Sequence, residues 1–323
     1  MYVRYAKPSR VTHRYPVVMI HGAGQTGTNF AGTPDGRKGW ADIFLELGYT
    51  VYVVDQAGRG KSAYASDLYG STTRIPALQA ERRWTAPERY NLWPQAHLHT
   101  QWPGDGPLKG RIGDSIFDQF YASQVPYIAN ARLTQQLNRD AGIALLDKIG
   151  PAILLTHSQS GPYGWLIADA RPQLVRGILA VEPGGAPVVE PKSKNRSNET
   201  WGWGLTAIPI TYDPPVTDLS QLHLADQASP EGPSLSLGRL QTEPVHGLPN
   251  LRNIPILILT SEASEHACYD HCTVNYLTQA GVRVDFVRLP EVGIHGNGHM
   301  MMLEKNNREI AVFLSRWAEE HVK

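Results

Sequence analysis

Cysteine is nearly absent from this sequence, with Cys268 and Cys272 the two in 323 residues. Two cysteines so close together make no disulfide framework, which excludes the small cystine-stapled folds. Excess charge is absent too, because thirty Lys and Arg balance thirty Asp and Glu. A nucleic-acid partner needs surplus cations to displace counterions from phosphate, so none is expected. No apolar run approaches the length of a membrane-spanning helix, so no span is expected and a soluble protein is. Met1 to Pro16 lack a basic flank followed by an apolar block, and no signal peptide is read there. The compartment stays unknown, with a secreted or periplasmic origin open if a leader has been removed. No internal repeat is visible. What is present, 41% hydrophobic and 19% charged residues, suffices for a sizeable core, and the length fits one large α/β domain with insertions or two smaller domains, of which a single domain over 1–323 is expected.

Two local patterns invite functional readings that the spacing does not support. Glu265-His266-Ala267-Cys268-Tyr269-Asp270-His271-Cys272 offers zinc-type donors. Structural zinc sites gather ligands from two separated pairs, so no metal is expected. Asn195-Arg196-Ser197 and Asn198-Glu199-Thr200 are glycosylation sequons, meaningful only in a protein secreted by a eukaryote.

Short apolar runs alternate with helical periods, the signature of a mostly parallel sheet flanked by helices. Strands are expected at Val17–Ile20, Val51–Asp55, Ala152–Thr156, Gly177–Val181, Ile254–Thr260 and Val284–Leu289. Each is a continuous run, as expected where both faces of a sheet are covered. Helices are expected near Gly39–Leu47, Asn138–Ile149, Gly164–Ala170, Cys268–Ala280 and Asn306–Glu320. In the last, Ile310, Phe313, Leu314 and Trp317 fall on one stripe. Residues 63–130 and 185–250 break the rhythm with Pro, Gly, Ser and Trp, and are expected to form two lid insertions. Trp84, Trp93, Trp102, Trp201 and Trp203 lie in them, either lining an apolar pocket or packing the lids onto the body.

The most informative segment is Ile153 to Gly161. An apolar strand ends and Ser158 follows, with small residues at two positions either side, Thr156 and Ser160. A nucleophile elbow needs this arrangement, because the serine sits on a strained strand-to-helix turn where bulky neighbours clash. The usual form is Gly-x-Ser-x-Gly, and here Thr and Ser stand at the glycine positions. Ser160 is the rival nucleophile and ranks below Ser158, since it should begin the helix.

A serine hydroxyl needs a base, most often histidine, which comes last in the chain in this fold. His295 and His299 both follow the final expected strand, and His299 is favoured for its place directly behind Gly298. His295 and His157 are candidates for a supporting role. The oxyanion hole should take the N–H of Gln159 and that of Ala23, in the loop His21-Gly22-Ala23-Gly24 after the first buried strand. His21 itself reads as structural. The same loop spells Gly22-x-Gly24-x-x-Gly27 with Asp55 further on, a dinucleotide fingerprint. That fingerprint needs a helix opening at the glycines, and Gly32, Pro34 and Gly36 argue against one, so no organic cofactor is expected. The acid stays open among Glu182, Glu262 and Glu265, with Ser264 standing where many such enzymes carry aspartate.

Several blocks together resemble one branch of the α/β-hydrolase esterases of bacteria and fungi. They are Met1 to Tyr5, Arg14-Tyr15-Pro16 through Gly22, Thr33 to Arg37, Asp55 to Gly60, His157 to Gly161, Val181-Glu182-Pro183-Gly184 and His295 to Met302. The resemblance implies the α/β-hydrolase fold and a Ser–His–Glu triad whose acid follows the strand after the elbow, here Ser158, His299 and Glu182. It also implies oxyanion donors at Ala23 and Gln159. Two departures stop the transfer there. The loop reads Ala-Gly-Gln after His21-Gly22, where a bacterial member has paired cysteines, and the second lid is longer. Substrate preference is therefore not inherited.

The expected function is hydrolysis of a carboxylic ester through an acyl-enzyme, with no metal or cofactor. The expected partner is a small ester or lactone of apolar or aromatic character, and a homodimer is open. Lactone hydrolysis, or acyl transfer or cyclisation in biosynthesis, would use the same triad. A non-catalytic binding protein on a hydrolase scaffold is the reading from another class.

Overall fold

The six apolar runs do form strands, and a computed structural model that describes residues 1–190, 201–229 and 231–323 shows how they assemble. The two sequons lie outside the described residues. Seven strands make the main sheet: β1 Tyr2–Ala6, β2 Val17–Ile20, β3 Val51–Asp55, β4 Ala152–His157, β5 Val175–Val181, β6 Ile256–Thr260 and β7 Asp285–Arg288. Their spatial order is β1-β3-β2-β4-β5-β6-β7. All neighbours run parallel except the edge strand β1, which pairs antiparallel with β3. Strand β1 is largely exposed, so it lacks the buried run that marks the other six.

Alternate residues of each strand feed opposite layers, as a period of two requires. Val17, Met19, Ile153, Leu155, Leu179, Val181, Leu257 and Leu259 pack on one face with Trp40, Phe44, Ile310, Leu314 and Trp317. Val18, Ile20, Leu154, Ile178, Ala180, Ile256 and Ile258 pack on the other with Leu146, Trp165, Ile167, Tyr276 and Leu277. The first layer is closed by helices α1 (Trp40–Glu46) and α5 (Asn307–His321), the second by α2 (Ala131–Ile149), α3 (Gly161–Ala170) and α4 (Asp270–Gln279). Helix α2 begins seven residues before the expected Asn138, where the Asn130 side chain caps the N–H of Leu133. Its first half is too polar to show an apolar period.

The chain runs outward from β2 to β3 and returns to place β4 on the other side of β2. That reversal is a topological switch point, where the carboxyl ends of adjacent strands open a crevice. The ends that meet there carry His21-Gly22 and His157-Ser158.

Residues 63–130 contain single helical turns, a helix over Ser115–Ala122 and a two-stranded ladder of Thr72–Thr73 with Tyr127–Ile128. The described part of residues 185–250 contains a three-stranded antiparallel ladder of Val188–Glu190, Leu237–Gln241 and Leu224–Asp226. Trp84, Trp93, Trp102 and Trp203 are buried, so packing onto the body is at least part of what these tryptophans do. Trp93 donates to the carbonyl of Ala263 at 3.0 Å.

His99 ties the first of these segments to the body. Its Nδ1 meets Glu88 at 2.8 Å and its Nε2 meets Glu304 at 2.7 Å. Burial alone would lower the imidazole pKa, but the two carboxylates outweigh it and raise the value to about 9. A group whose folded pKa lies above its unfolded one stabilises the fold fully below about 6.5 and loses that contribution as pH rises through about 9. Urea unfolding followed from about pH 6 to about pH 10 should show this loss, roughly 3 kcal/mol at most. His99→Gln should flatten the slope.

Candidate active site

Backbone strain marks the crevice. Ser158 has φ 55° and Glu182 φ 45°, and Asn91 is the other described non-glycine residue with a positive φ. Side chains rarely adopt this region, and packing must hold them in it. At Ser158 the packing is close on every side. A Cβ on Gly22 would stand 3.0 Å from the Cβ of Ser158, and one on Gly161 would stand 2.5 Å from Pro183. Thr156 replaces a glycine of the usual elbow, and across from it a Cβ on Gly164 would stand 3.1 Å from the threonine methyl. Ser160 replaces the other. It is fully buried, accepts from the His157 N–H at 2.8 Å and donates to the Ile20 carbonyl at 2.7 Å. Its hydroxyl knits the turn to β2, which leaves Ser158 as the partly exposed serine of the pair.

His299 lies against it. The Nε2 of His299 is 3.0 Å from the Ser158 hydroxyl, and its Nδ1 is 2.6 Å from a carboxylate oxygen of Glu182. Glu182 is fully buried, which by itself would raise its pKa. The His299 hydrogen bond, nearby imidazoles and Ser261 reverse that and hold it below the ordinary carboxylate range. An ionised carboxylate only accepts, so Nδ1 carries the hydrogen and Nε2 is left to accept from the serine.

The other acids do not reach His299. Glu265 is buried against Arg83, and Glu262 meets His295 at 3.1 Å and the Gly296 N–H at 2.7 Å. Ser264, at the place of the expected aspartate, donates to Glu182 at 2.8 Å. Of the two supporting histidines, His157 is in place and donates from Nε2 to the His299 carbonyl at 3.0 Å. His295 is not: it is exposed, pairs with Glu262, and among the described residues touches none of Ser158, Glu182 and His299. Gly296, with φ 77°, turns the chain between the two histidines so that His295 points outward and His299 inward.

Two neighbours of His299 escape a reading by motif. His266 stacks on it at 4.8 Å between ring centroids, tilted by 11°, and its Nδ1 meets Asp270 at 2.7 Å. The His-x-x-x-Asp spacing around the start of α4 was the available signal. Trp84 covers His299 from the first insertion, with ring centroids 6.0 Å apart and planes 28° apart.

Ala23 and Gln159 each direct a backbone N–H that, among the described residues, meets no acceptor within the chain. Gln159 follows Ser158 in the chain, and Ala23 follows Gly22, where a Cβ would stand 3.0 Å from that of Ser158.

Donor atoms of Glu182, His266 and His299 come within 4.8 Å of one another, close enough for a metal ion. Glu182 and His299 are, however, already joined through a proton, and the second carboxylate oxygen is taken by the N–H and hydroxyl of Ser261 at 2.9 and 2.5 Å. These carboxylate oxygens are thus already committed to hydrogen bonds within the chain. Cys268 and Cys272 stand apart from them, with Cys268 donating to Gln95 and Cys272 beside His271. Around the fingerprint glycines, a single helical turn does begin, over Thr28–Ala31, contrary to expectation. It stops after four residues, and Asp55 spends its two oxygens on the N–H groups of Gly27 and Lys61, at 2.7 and 2.8 Å. That carboxylate braces two loops.

The sequence pattern of the Alpha/beta hydrolase family matches residues 17–312. A protein named "Probable secreted lipase phiG", from Fungal sp. (strain ATCC 74256), is 46% identical over 324 residues, covering 99% of this chain and 86% of that one. The structure described as that of a novel bacterial esterase superposes with a TM-score of 0.61 at 23% identity, covering 100% of this chain and 86% of the other. Among the described residues no helix is long and apolar enough to cross a membrane.

Burial lowers the pKa of His299, and the Glu182 carboxylate opposes that without cancelling it. In an NMR titration the His299 ring should therefore change charge below the ordinary imidazole value near 6.5. Removing the opposing carboxylate with Glu182→Gln should push the midpoint further down. A midpoint that rises instead would contradict this balance.

Proposed function

This chain belongs to the Alpha/beta hydrolase family, and from that premise we propose a carboxylic ester hydrolase that works through an acyl-enzyme on Ser158. The observation that carries the proposal is the unbroken hydrogen-bond chain from Glu182 through His299 to Ser158, at 2.6 and 3.0 Å. The name of the fungal relative, a lipase, supports ester hydrolysis and a secreted setting.

In this mechanism the Ser158 oxygen attacks the ester carbonyl carbon while its proton passes to His299 Nε2. The imidazolium that forms is stabilised at Nδ1 by Glu182, which stays ionised. Negative charge moves to the carbonyl oxygen, where the N–H groups of Ala23 and Gln159 receive it. Collapse of the tetrahedral species breaks the bond to the alcohol, which leaves with the proton from His299. Water then gives a proton to His299 and attacks the acyl carbon, and a second collapse returns the proton to Ser158 and frees the acid. The neutral His299 that the first step requires is the form its lowered pKa favours at neutral pH.

The insertions act as lids in this reading. Trp84 and the aromatic residues packed behind it, Phe120 and Trp102, favour an apolar or aromatic ester over a charged one. A binding role without chemistry gives no reason for a strained backbone at both Ser158 and Glu182.

Ser158→Ala should lower kcat on a nitrophenyl ester by several orders of magnitude, on the order of 10⁴-fold or more, while substrate still binds. A fluorophosphonate should label the wild-type chain at Ser158 and leave the variant unmarked. Wild-type turnover retained in Ser158→Ala would refute the proposal.

A further inference from the structure

Arg59 is 2% exposed, yet among the described residues it has no carboxylate partner. Burying a guanidinium without an anion is costly, and such a group persists where its charge is used. Burial lowers its pKa only to about 10, so it stays charged at neutral pH. Tyr127 presents its ring face 4.9 Å away, and the hydrogen-bond acceptors of Arg59 are both neutral.

Those acceptors are informative. Nη1 donates to the carbonyl of Gly22 at 2.8 Å, and Nη2 donates to the side-chain oxygen of Gln159. The Gly22 carbonyl belongs to the same peptide unit as the N–H of Ala23. A second donor saturates that carbonyl. His21 accepts at Nε2 from the Gln56 N–H at 3.1 Å, which puts its hydrogen on Nδ1, 3.0 Å from the Gly22 oxygen. Burial and the Arg59 charge lower the His21 pKa to about 3, so this neutral tautomer is kept. With both lone pairs of the carbonyl engaged, one by a charged donor, the peptide plane is fixed and its N–H is polarised toward whatever faces it. On the opposite side the same guanidinium grips the residue that supplies the other free N–H. A Cβ on Gly22 would stand only 3.0 Å from that of Ser158, so the two halves lie close around the serine.

The geometry points to Arg59 as the positioning residue of the oxyanion hole: one fork clamps the Gly22–Ala23 peptide and Gln159 together, with His21 as the second brace. This rests on the serine-hydrolase reading and adds a role that the triad does not contain. Arg59 touches no reacting atom. Its effect is to orient the two N–H groups and to lend them a buried positive field, which matters only once negative charge appears on the substrate oxygen.

The test separates transition-state from ground-state binding. Arg59→Met and Arg59→Lys are compared with wild type for kcat, KM on a nitrophenyl ester, and Ki for a trifluoromethyl ketone, whose adduct bears the oxyanion. Thermal unfolding checks that each variant is folded, and the lysine variant serves if the methionine variant is not. Arg59→Met should lower kcat on the order of 10²-fold, with KM within about threefold and Ki raised by the same factor as kcat falls. Gln159→Ala, which frees one arm of the fork, should give about a tenfold loss of the same kind. A folded Arg59 variant with kcat within about threefold of wild type overturns the inference. So does a loss that falls on KM with Ki unmoved, the mark of a merely structural role. Fluorophosphonate labelling of wild type is read in parallel. Labelled wild type with indifferent Arg59 variants fails this inference alone, whereas unlabelled wild type fails the hydrolase reading beneath it.

Discussion

A carboxylate sealed from water is the constraint around which this molecule is organised. Glu182 has no exposed surface, and an ionised group there is tolerable only if its lone pairs are all engaged. Four donors engage them: the N–H and hydroxyl of Ser261, the hydroxyl of Ser264, and His299. Three of the four come from the loop that follows β6, so that loop is fixed by the charge on its neighbour. The fourth is the imidazole. Its ring plane, tautomer and distance to Ser158 follow from where the carboxylate sits, and the rest of the site is arranged around that.

Close approach is the second consequence. For a carboxylate after β5 to reach a histidine that also meets a serine after β4, the turns at both strand ends must bend into positive φ and nearly touch. Gly161 allows it, since a Cβ there would run into Pro183 at 2.5 Å, and a Cβ on Gly184 would stand a tight 3.1 Å from the Ser158 carbonyl oxygen. The elbow achieves the same closeness without its usual glycines. A threonine fits where the facing helix supplies Gly164, and a serine fits where its hydroxyl replaces the lost backbone freedom with two hydrogen bonds.

How legible this was in the amino-acid order depends on the range of each interaction. The six buried strands announced themselves because burial on both faces leaves a continuous apolar run, and the exposed β1 did not. Ser158, the Gly298-His299 pair and the Gly22 loop were readable because each rests on local backbone demands. The proposed acid was not readable from its surroundings. Glu182, Glu262 and Glu265 all follow strands of the same sheet, and what separates them is partner choice across space: His299 for one, His295 for another, Arg83 for the third. The misplacement of His295 has the same origin, since one glycine with a positive φ decides which of two nearby imidazoles faces the crevice. Arg59 lay within the Asp55 to Gly60 block, but nothing in the amino-acid order says that its guanidinium is buried against neutral partners.

The insertions are bound into this network and do not merely sit on it. Glu304 accepts from the N–H of Gly298 at 3.0 Å and from the side chain of Asn297 at 2.7 Å, so it sets the backbone immediately before His299. The same carboxylate holds His99, which reaches to Glu88 within the first insertion. Thr100 and Gln101 add N–H groups to the Gly296 carbonyl at 2.9 and 3.1 Å. One buried cation thus couples the segment that carries Trp84 to the loop that aims His299. The two share an anchor in Glu304. That coupling gives the proposed lid a physical route to the proposed base: Trp84 packs on His299 directly, and His99 and Glu304 join the same segment to the loop before it.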